Sequence, residues 1–137
     1  MHSVSVAAVI ADDDGRALLV QRADNGHWEP PGGVLELGET IEDGLRREVR
    51  EETGLHVEPL ALTGVYKNMA RGVIALVFRA KITGGQLRTS DETSAFRWAT
   101  AAETRQLASE AFAVRVADAL SLGGHTAIRS HDGVRLI

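Results

Sequence analysis

Residues 33–55 read GVLELGETIEDGLRREVREETGL, and this stretch decides how the chain folds. Thr40 with Asp43 resembles a capping box, Ile41, Leu45 and Val49 recur at i, i+4 and i+8, and Gly54 supplies a stop. The spacing predicts a helix over residues 41–53. On a wheel with Glu48 at the origin, Glu51 falls at about −60° and Glu52 at about +40°, so three carboxylates share a narrow arc. The apolar stripe spans about +20° to +100°, which puts Glu48 and Glu52 on the core side and leaves Arg46 and Arg50 on the solvent face. Like charges on a core-facing arc repel one another and lose solvation unless something positive joins them. Arg47, at about −100°, can pair with Glu51, but one monovalent charge does not neutralise three carboxylates. A hard divalent cation with oxygen ligands does, and magnesium commonly binds through a few carboxylates while keeping waters for a phosphate. Gly44 costs the helix about 1 kcal/mol relative to Ala. Its place between Glu48 and Glu51 suits a close approach by the nearby PPGG backbone or a hydrated metal, with a tolerated surface glycine as the alternative.

Those 23 residues hold seven acids against three arginines, while the rest of the chain carries 12 acids and 12 bases. The whole formal charge of −4 therefore sits in this one segment. Without a basic surplus, nucleic acid is a poor candidate partner. No cysteine occurs, which excludes disulfide scaffolds, thiolate zinc sites and cysteine nucleophiles. Val6 to Ala11 is too short an apolar run to span a bilayer and lacks a basic flank, so neither membrane nor export is expected and the expected location is cytoplasmic. At 137 residues the chain fits one domain, residues 1–137.

Outward from the helix, WEPPGG at 28–33 reads as a rigid loop. Val4, Val6 and Ala8 alternate, Ala17 to Val20 is a second apolar run, and Asp13-Asp14-Gly15 between them predicts an N-terminal hairpin. Residues 57–66 and 73–82 read as strands, as does 95–99, which contains Trp98. Thr100 with Glu103 makes a second capping box, Phe112, Val116 and Leu120 mark an amphipathic helix stopped by Gly123-Gly124, and a last hairpin turns at 131–133. The expected fold class is α/β, a mixed sandwich with one sheet between helices.

Gly33, Glu39, Arg47, Glu48, Val49, Glu51, Glu52, Gly54 and Leu55 fall at the spacings of the Nudix box, so the chain resembles the Nudix hydrolase family. WEPPGG before the box, and a Trp-containing strand with two helices after it, are similar to the rest of that domain. The resemblance implies a Nudix-type α/β/α sandwich with a mixed sheet. It also implies Mg²⁺-dependent hydrolysis, with Mn²⁺ as a substitute, of a nucleoside diphosphate linked to another group. Carried over by position, Glu48, Glu51 and Glu52 resemble the metal ligands and the Gly32 carbonyl an additional one. Arg47 resembles the arginine that orients the glutamates, and Glu39 the residue that ties loop to helix. Glu52 is the first candidate for the base that deprotonates water or for bridging two metals, and Glu92 resembles the distal glutamate some members use.

The substrate expected is a nucleoside triphosphate or an oxidised nucleotide, with ADP-ribose or a nucleotide sugar as the alternative. A silent nucleotide-sensing module is the reading of another class, and the intact glutamate set argues against it. Arg22 is a candidate for reaching a phosphate and Trp28 for stacking on a base, each with a structural role as the alternative. A homodimer is left open. The histidines His2, His27, His56, His125 and His131 show no metal spacing and are read as structural.

Overall fold

A computed structural model describes residues 1–121 and 123–137. Its strands are β1 (Ser3–Ile10), β2 (Ala17–Arg22), β3 (Trp28–Glu29), β4 (Gly32–Val34), β5 (Leu55–Asn68), β6 (Val73–Gly85), β7 (Thr93–Ala99) and β8 (Ala127–His131). Its helices are α1 (Ile41–Thr53), α2 (Ala101–Leu107) and α3 (Glu110–Leu120). The α/β class with a mixed sheet is observed, but the strands divide into two sheets where one was expected. A five-stranded sheet runs β4-β1-β6-β5-β8, with β1 parallel to β6 and β8 parallel to β5. An antiparallel sheet runs β3-β2-β7.

Burial of β1 explains the division. Val6, Ala8 and Ile10 enter a core shared with Leu45 and Val49 of α1, while Ala7 and Val9 enter another shared with Val116 and Ala119 of α3. A strand buried on both faces is a central strand and needs a neighbour on each side. Those neighbours are β4 and β6, so β2 cannot pair along β1. The expected N-terminal hairpin is reduced to the bridge Ala11↔Ala17, and β2 continues into the other sheet. Asp12 still closes the turn, its Oδ1 accepting from the N–H groups of Asp14 and Arg16. The last hairpin is likewise a turn closed by one bridge, His131↔Leu136, because β8 is committed to β5.

The helix α1 has the expected bounds, with Gly54 in the left-handed region at φ 81°. Thr40 Oγ1 accepts from the Asp43 N–H at 3.2 Å, yet the Asp43 carboxylate turns to Arg46, so only half a capping box forms. At α2 both halves are present. The buried face of α1 is Gly44, Leu45, Val49 and Thr53, and Ile41 is 39% exposed and leaves the stripe. Gly44 is buried, and a side chain there would meet Leu35 and Glu39 rather than the PPGG backbone. Two further glycines set the approach of β4. A Cβ on Gly32 would overlap the backbone of Val6 and Ala7, and one on Gly33 would lie inside the Glu48 carboxylate. The glycine pair thus lets a strand fit between β1 and the charged face of α1.

Candidate active site

Arg47 organises the carboxylates. It reaches both oxygens of Glu39 at 2.6 and 2.9 Å, Glu48 Oε1 at 2.9 Å, the Val34 carbonyl at 3.1 Å and Glu51 Oε2 at 3.3 Å. Its strongest partner is therefore the loop residue Glu39, and Glu51 is the longest of these contacts. The guanidinium, and then the Glu36 N–H, pull the Glu39 carboxyl down to about 2, and these carboxylates hold Arg47 above its ordinary range. A fork that serves two carboxylate oxygens and a carbonyl together has no ammonium equivalent. Arg47→Lys should therefore keep the charge but release the loop, lowering turnover ~10-fold or more together with the melting temperature. Steady-state assay and thermal unfolding of that variant check this, and unchanged values would show that charge alone suffices.

Burial follows the wheel. The Glu48 side chain is 13% exposed, against Gly33, whereas Glu51 at the edge of the arc is 54% exposed. Burial raises the Glu48 carboxyl, with Arg47 opposing. Glu52 is pushed up to about 8, first by burial and then by Glu48, with Glu29 and Glu92 adding to the effect. The Gly32 N–H, 3.4 Å from Glu52 Oε2, opposes this weakly. The Gly32 N–H thus holds this end of β4 beside Glu52.

Glu52 opens into a cavity of about 280 Å³ lined also by Arg22, Glu29, Asp91 and Glu92. Glu92 is fixed there from both sides. Its carbonyl accepts from the Ala23 N–H at 2.8 Å, and Ser90 Oγ accepts from its N–H at 3.2 Å. Arg22 pairs with Asp24 at 2.7 Å and Glu29 at 3.3 Å. Trp28 is not brought to this cavity. It packs on the core beside Leu107 and borders a separate hollow with Phe112.

Glu29 escaped the sequence reading, although burial raises its carboxyl against the pull of Arg22. A signal existed, because a glutamate paired in register with the fully buried Val20 and followed by two prolines has little access to solvent.

Three half-buried carboxylates raised together, Glu29, Glu48 and Glu52, form a set of hard oxygen donors in which Arg22 meets Glu29, Arg47 meets Glu48 and no cation pairs with Glu52 among the described residues. That chemistry fits a divalent ion such as Mg²⁺. Among the described residues no three acidic or imidazole side chains already converge at ligand spacing, because Arg47 engages Glu48 and Glu51. No helix among them is long and apolar enough to cross a membrane.

Comparison with known proteins agrees with this architecture. The NUDIX domain model matches residues 1–120. A MutT-like protein of Streptomyces ambofaciens is 56% identical over 137 residues, covering all of this chain and 88% of that protein. Human 8-oxo-dGDP phosphatase NUDT18 is 43% identical over 93 residues, covering 66% of this chain and 28% of the human protein. Among solved structures, an ADP-ribose pyrophosphatase of Streptococcus suis superposes with a TM-score of 0.78 at 27% identity, covering 93% of this chain and 99% of the other. With a family match across residues 1–120 and a full-length relative at 56% identity, the chain belongs to the Nudix family of hydrolases.

Proposed function

We propose that residues 1–137 act as one catalytic domain that hydrolyses a phosphoanhydride bond of a nucleoside di- or triphosphate, including oxidised forms, with Mg²⁺ or Mn²⁺. The observation that carries this reading is the placement of Glu52, half-buried on the core side of α1 with the Gly32 N–H at 3.4 Å, on the wall of a cavity that also holds Arg22 and Glu92. Glu48, Glu51, Glu52 and the Gly32 carbonyl would hold the ion. When bound, it neutralises the acids and the phosphates and makes water a better nucleophile.

The chain's own residues supply the remainder. Arg47 positions Glu48 through its 2.9 Å bond and locks the loop through Glu39. Arg22, free to exchange Asp24 for a stronger anion, binds a phosphoryl oxygen. A water oxygen bonds to phosphorus, the anhydride P–O bond breaks, and the water's proton passes to Glu52, or to Glu92 across the cavity. A nucleoside triphosphate is favoured over ADP-ribose because Arg22 lies in a cavity ringed by acids, where a highly charged phosphate chain gains most from the cations.

The test is a panel of nucleoside di- and triphosphates, ADP-ribose and nucleotide sugars with 5 mM Mg²⁺, the products separated by chromatography. Turnover of one or more nucleoside di- or triphosphates above the other classes is expected. Turnover of ADP-ribose or a nucleotide sugar alone would move the assignment to that class, and turnover of none would remove it.

A further inference from the structure

Arg22 is the one cation among the described residues that line the cavity beside Glu52, where it faces five carboxylates, Asp24, Glu29, Glu52, Asp91 and Glu92. The register of β2 against β7 shifts between Gln21 and Arg22, and this bulge leaves Arg22 at the end of β2, opposite Thr93 on the cavity wall. All three nitrogens of its guanidinium are engaged. Nε and Nη2 donate to the two oxygens of Asp24 at 2.9 and 2.7 Å, and Nη1 donates to Glu29 at 3.3 Å. The contact with Asp24 is two-pronged, the geometry in which an arginine also holds two oxygens of a phosphate. Asp24 thus stands on the fork where a phosphoryl group would stand.

The two acids on Arg22 differ in how firmly they are placed. Glu29 belongs to β3, its side chain is 17% exposed, and it meets a single nitrogen. Asp24 lies in the turn between β2 and β3 with a side chain 62% exposed, and Arg22 is its side-chain partner among the described residues. Backbone bonds close that turn, from the Gly26 N–H to the Arg22 carbonyl and from the Arg22 N–H to the His27 carbonyl, each at 2.9 Å. The carboxylate therefore stays within reach of the fork while its side chain can rotate into solvent. An exposed ion pair of this kind contributes little to stability and yields to a stronger anion. Its tether spans only two residues, so Asp24 returns to the fork whenever that anion leaves. Pairing also pulls the Asp24 carboxyl below its ordinary value and raises Arg22, so both groups stay charged throughout the neutral range.

We infer that Asp24 is a built-in competitor for the phosphate chain, which occupies the Arg22 fork in the free protein, is displaced when phosphate binds, and so limits how tightly substrate and product phosphates are held. A metal and a bare arginine together would grip a product phosphate as firmly as a substrate, and binding shared equally by ground and transition states adds nothing to kcat. Because Glu29 holds the third nitrogen, the exchange requires Asp24 to turn away rather than Arg22 to move. The inference rests on the nucleotide reading above and adds to it a residue that weakens binding.

Equilibrium binding of inorganic pyrophosphate in Mg²⁺ tests it without turnover. Asp24→Asn keeps the size of the side chain and removes its charge, so it should tighten pyrophosphate about 3- to 10-fold. Removing a negative charge anywhere in the cavity also favours an anion, and two further variants separate that effect. Asp91→Asn neutralises a wall acid that Arg22 does not touch, and should change the affinity less than about 2-fold. In an Arg22→Gln background, Asp24→Asn should likewise change it less than about 2-fold, because no fork remains to be contested. Unchanged or weaker binding by Asp24→Asn overturns the inference, as does an equal gain in Asp91→Asn or in the Arg22→Gln background. No measurable pyrophosphate binding by wild type and Asp24→Asn alike overturns it too. A protein that hydrolyses no nucleotide yet shows the Arg22-dependent gain would refute the hydrolase reading alone. Intact hydrolysis, with Asp24→Asn binding pyrophosphate as wild type does, would refute this inference alone.

Discussion

Glu52→Gln should lower turnover by at least ~100-fold while the metal-free protein melts at the same temperature or higher. The two effects have one origin. Burial and the charge of Glu48 push the Glu52 carboxyl up to about 8, so the ionised form is costly to the metal-free fold and, once formed, is a stronger base than an ordinary carboxylate. The amide keeps the shape and removes both the charge and the basicity. It still accepts from the Gly32 N–H at 3.4 Å, so β4 keeps its place. Turnover and thermal unfolding measured on the same preparation decide the matter. Near wild-type turnover would transfer proton removal to Glu92 across the cavity, and a large fall in melting temperature would make Glu52 a structural carboxylate.

Metal should raise the melting temperature, and more so at pH 8.5 than at pH 6. A carboxyl whose folded pKa lies above its unfolded value contributes stability that is fully present below the unfolded value and is lost as pH rises through the folded one. For Glu52 that window runs from about 4.5 to about 8, and Glu48 and Glu29 are shifted in the same direction. The metal-free protein therefore loses stability across it. A divalent ion held by the folded state alone opposes this, and it competes with the proton on Glu52 less as pH rises. At a free concentration ~100 times the dissociation constant the gain is about 2.7 kcal/mol, a shift of several degrees. Melting curves in EDTA, Mg²⁺ and Mn²⁺ at the two pH values check the sign. Glu51→Gln should reduce the response less than Glu52→Gln, since Glu51 is more than half exposed and already touches Arg47. No shift with saturating metal at pH 8.5 would mean that Arg47 alone balances the helix.

The helix α1 was legible because its signals are local: a capping threonine, an apolar stripe and a terminal glycine. The core-side placement of Glu48 and Glu52 followed from the same period. What escaped depends on partners far away in sequence. The unbroken apolar run Val6 to Ala11 fits cover on both faces of β1, but the strands that flank it, β4 and β6, lie further along the chain, so a buried central strand reads as one arm of a hairpin. Arg47 was matched to Glu51 by helical spacing, whereas its shortest bonds reach back to Glu39 in the preceding loop. Gly44 makes room for Leu35 and Glu39, not for the PPGG backbone or the hydrated metal that its sequence position suggests.

The division of the strands into two sheets has a bearing on how such a chain diversifies. Glu48, Glu51 and Glu52 all ride on α1, packed against the five-stranded sheet, whereas Arg22 and Glu29 belong to the three-stranded one and Glu92 directly precedes its strand β7. Along the chain between β1 and β2, pairing amounts to a single bridge. Heritable change on the smaller sheet can therefore reshape the mouth of the cavity while the charged helix, and the glycines that accommodate it, stay as they are. Breeding new preferences into this scaffold is then a matter of varying one half and leaving the other untouched.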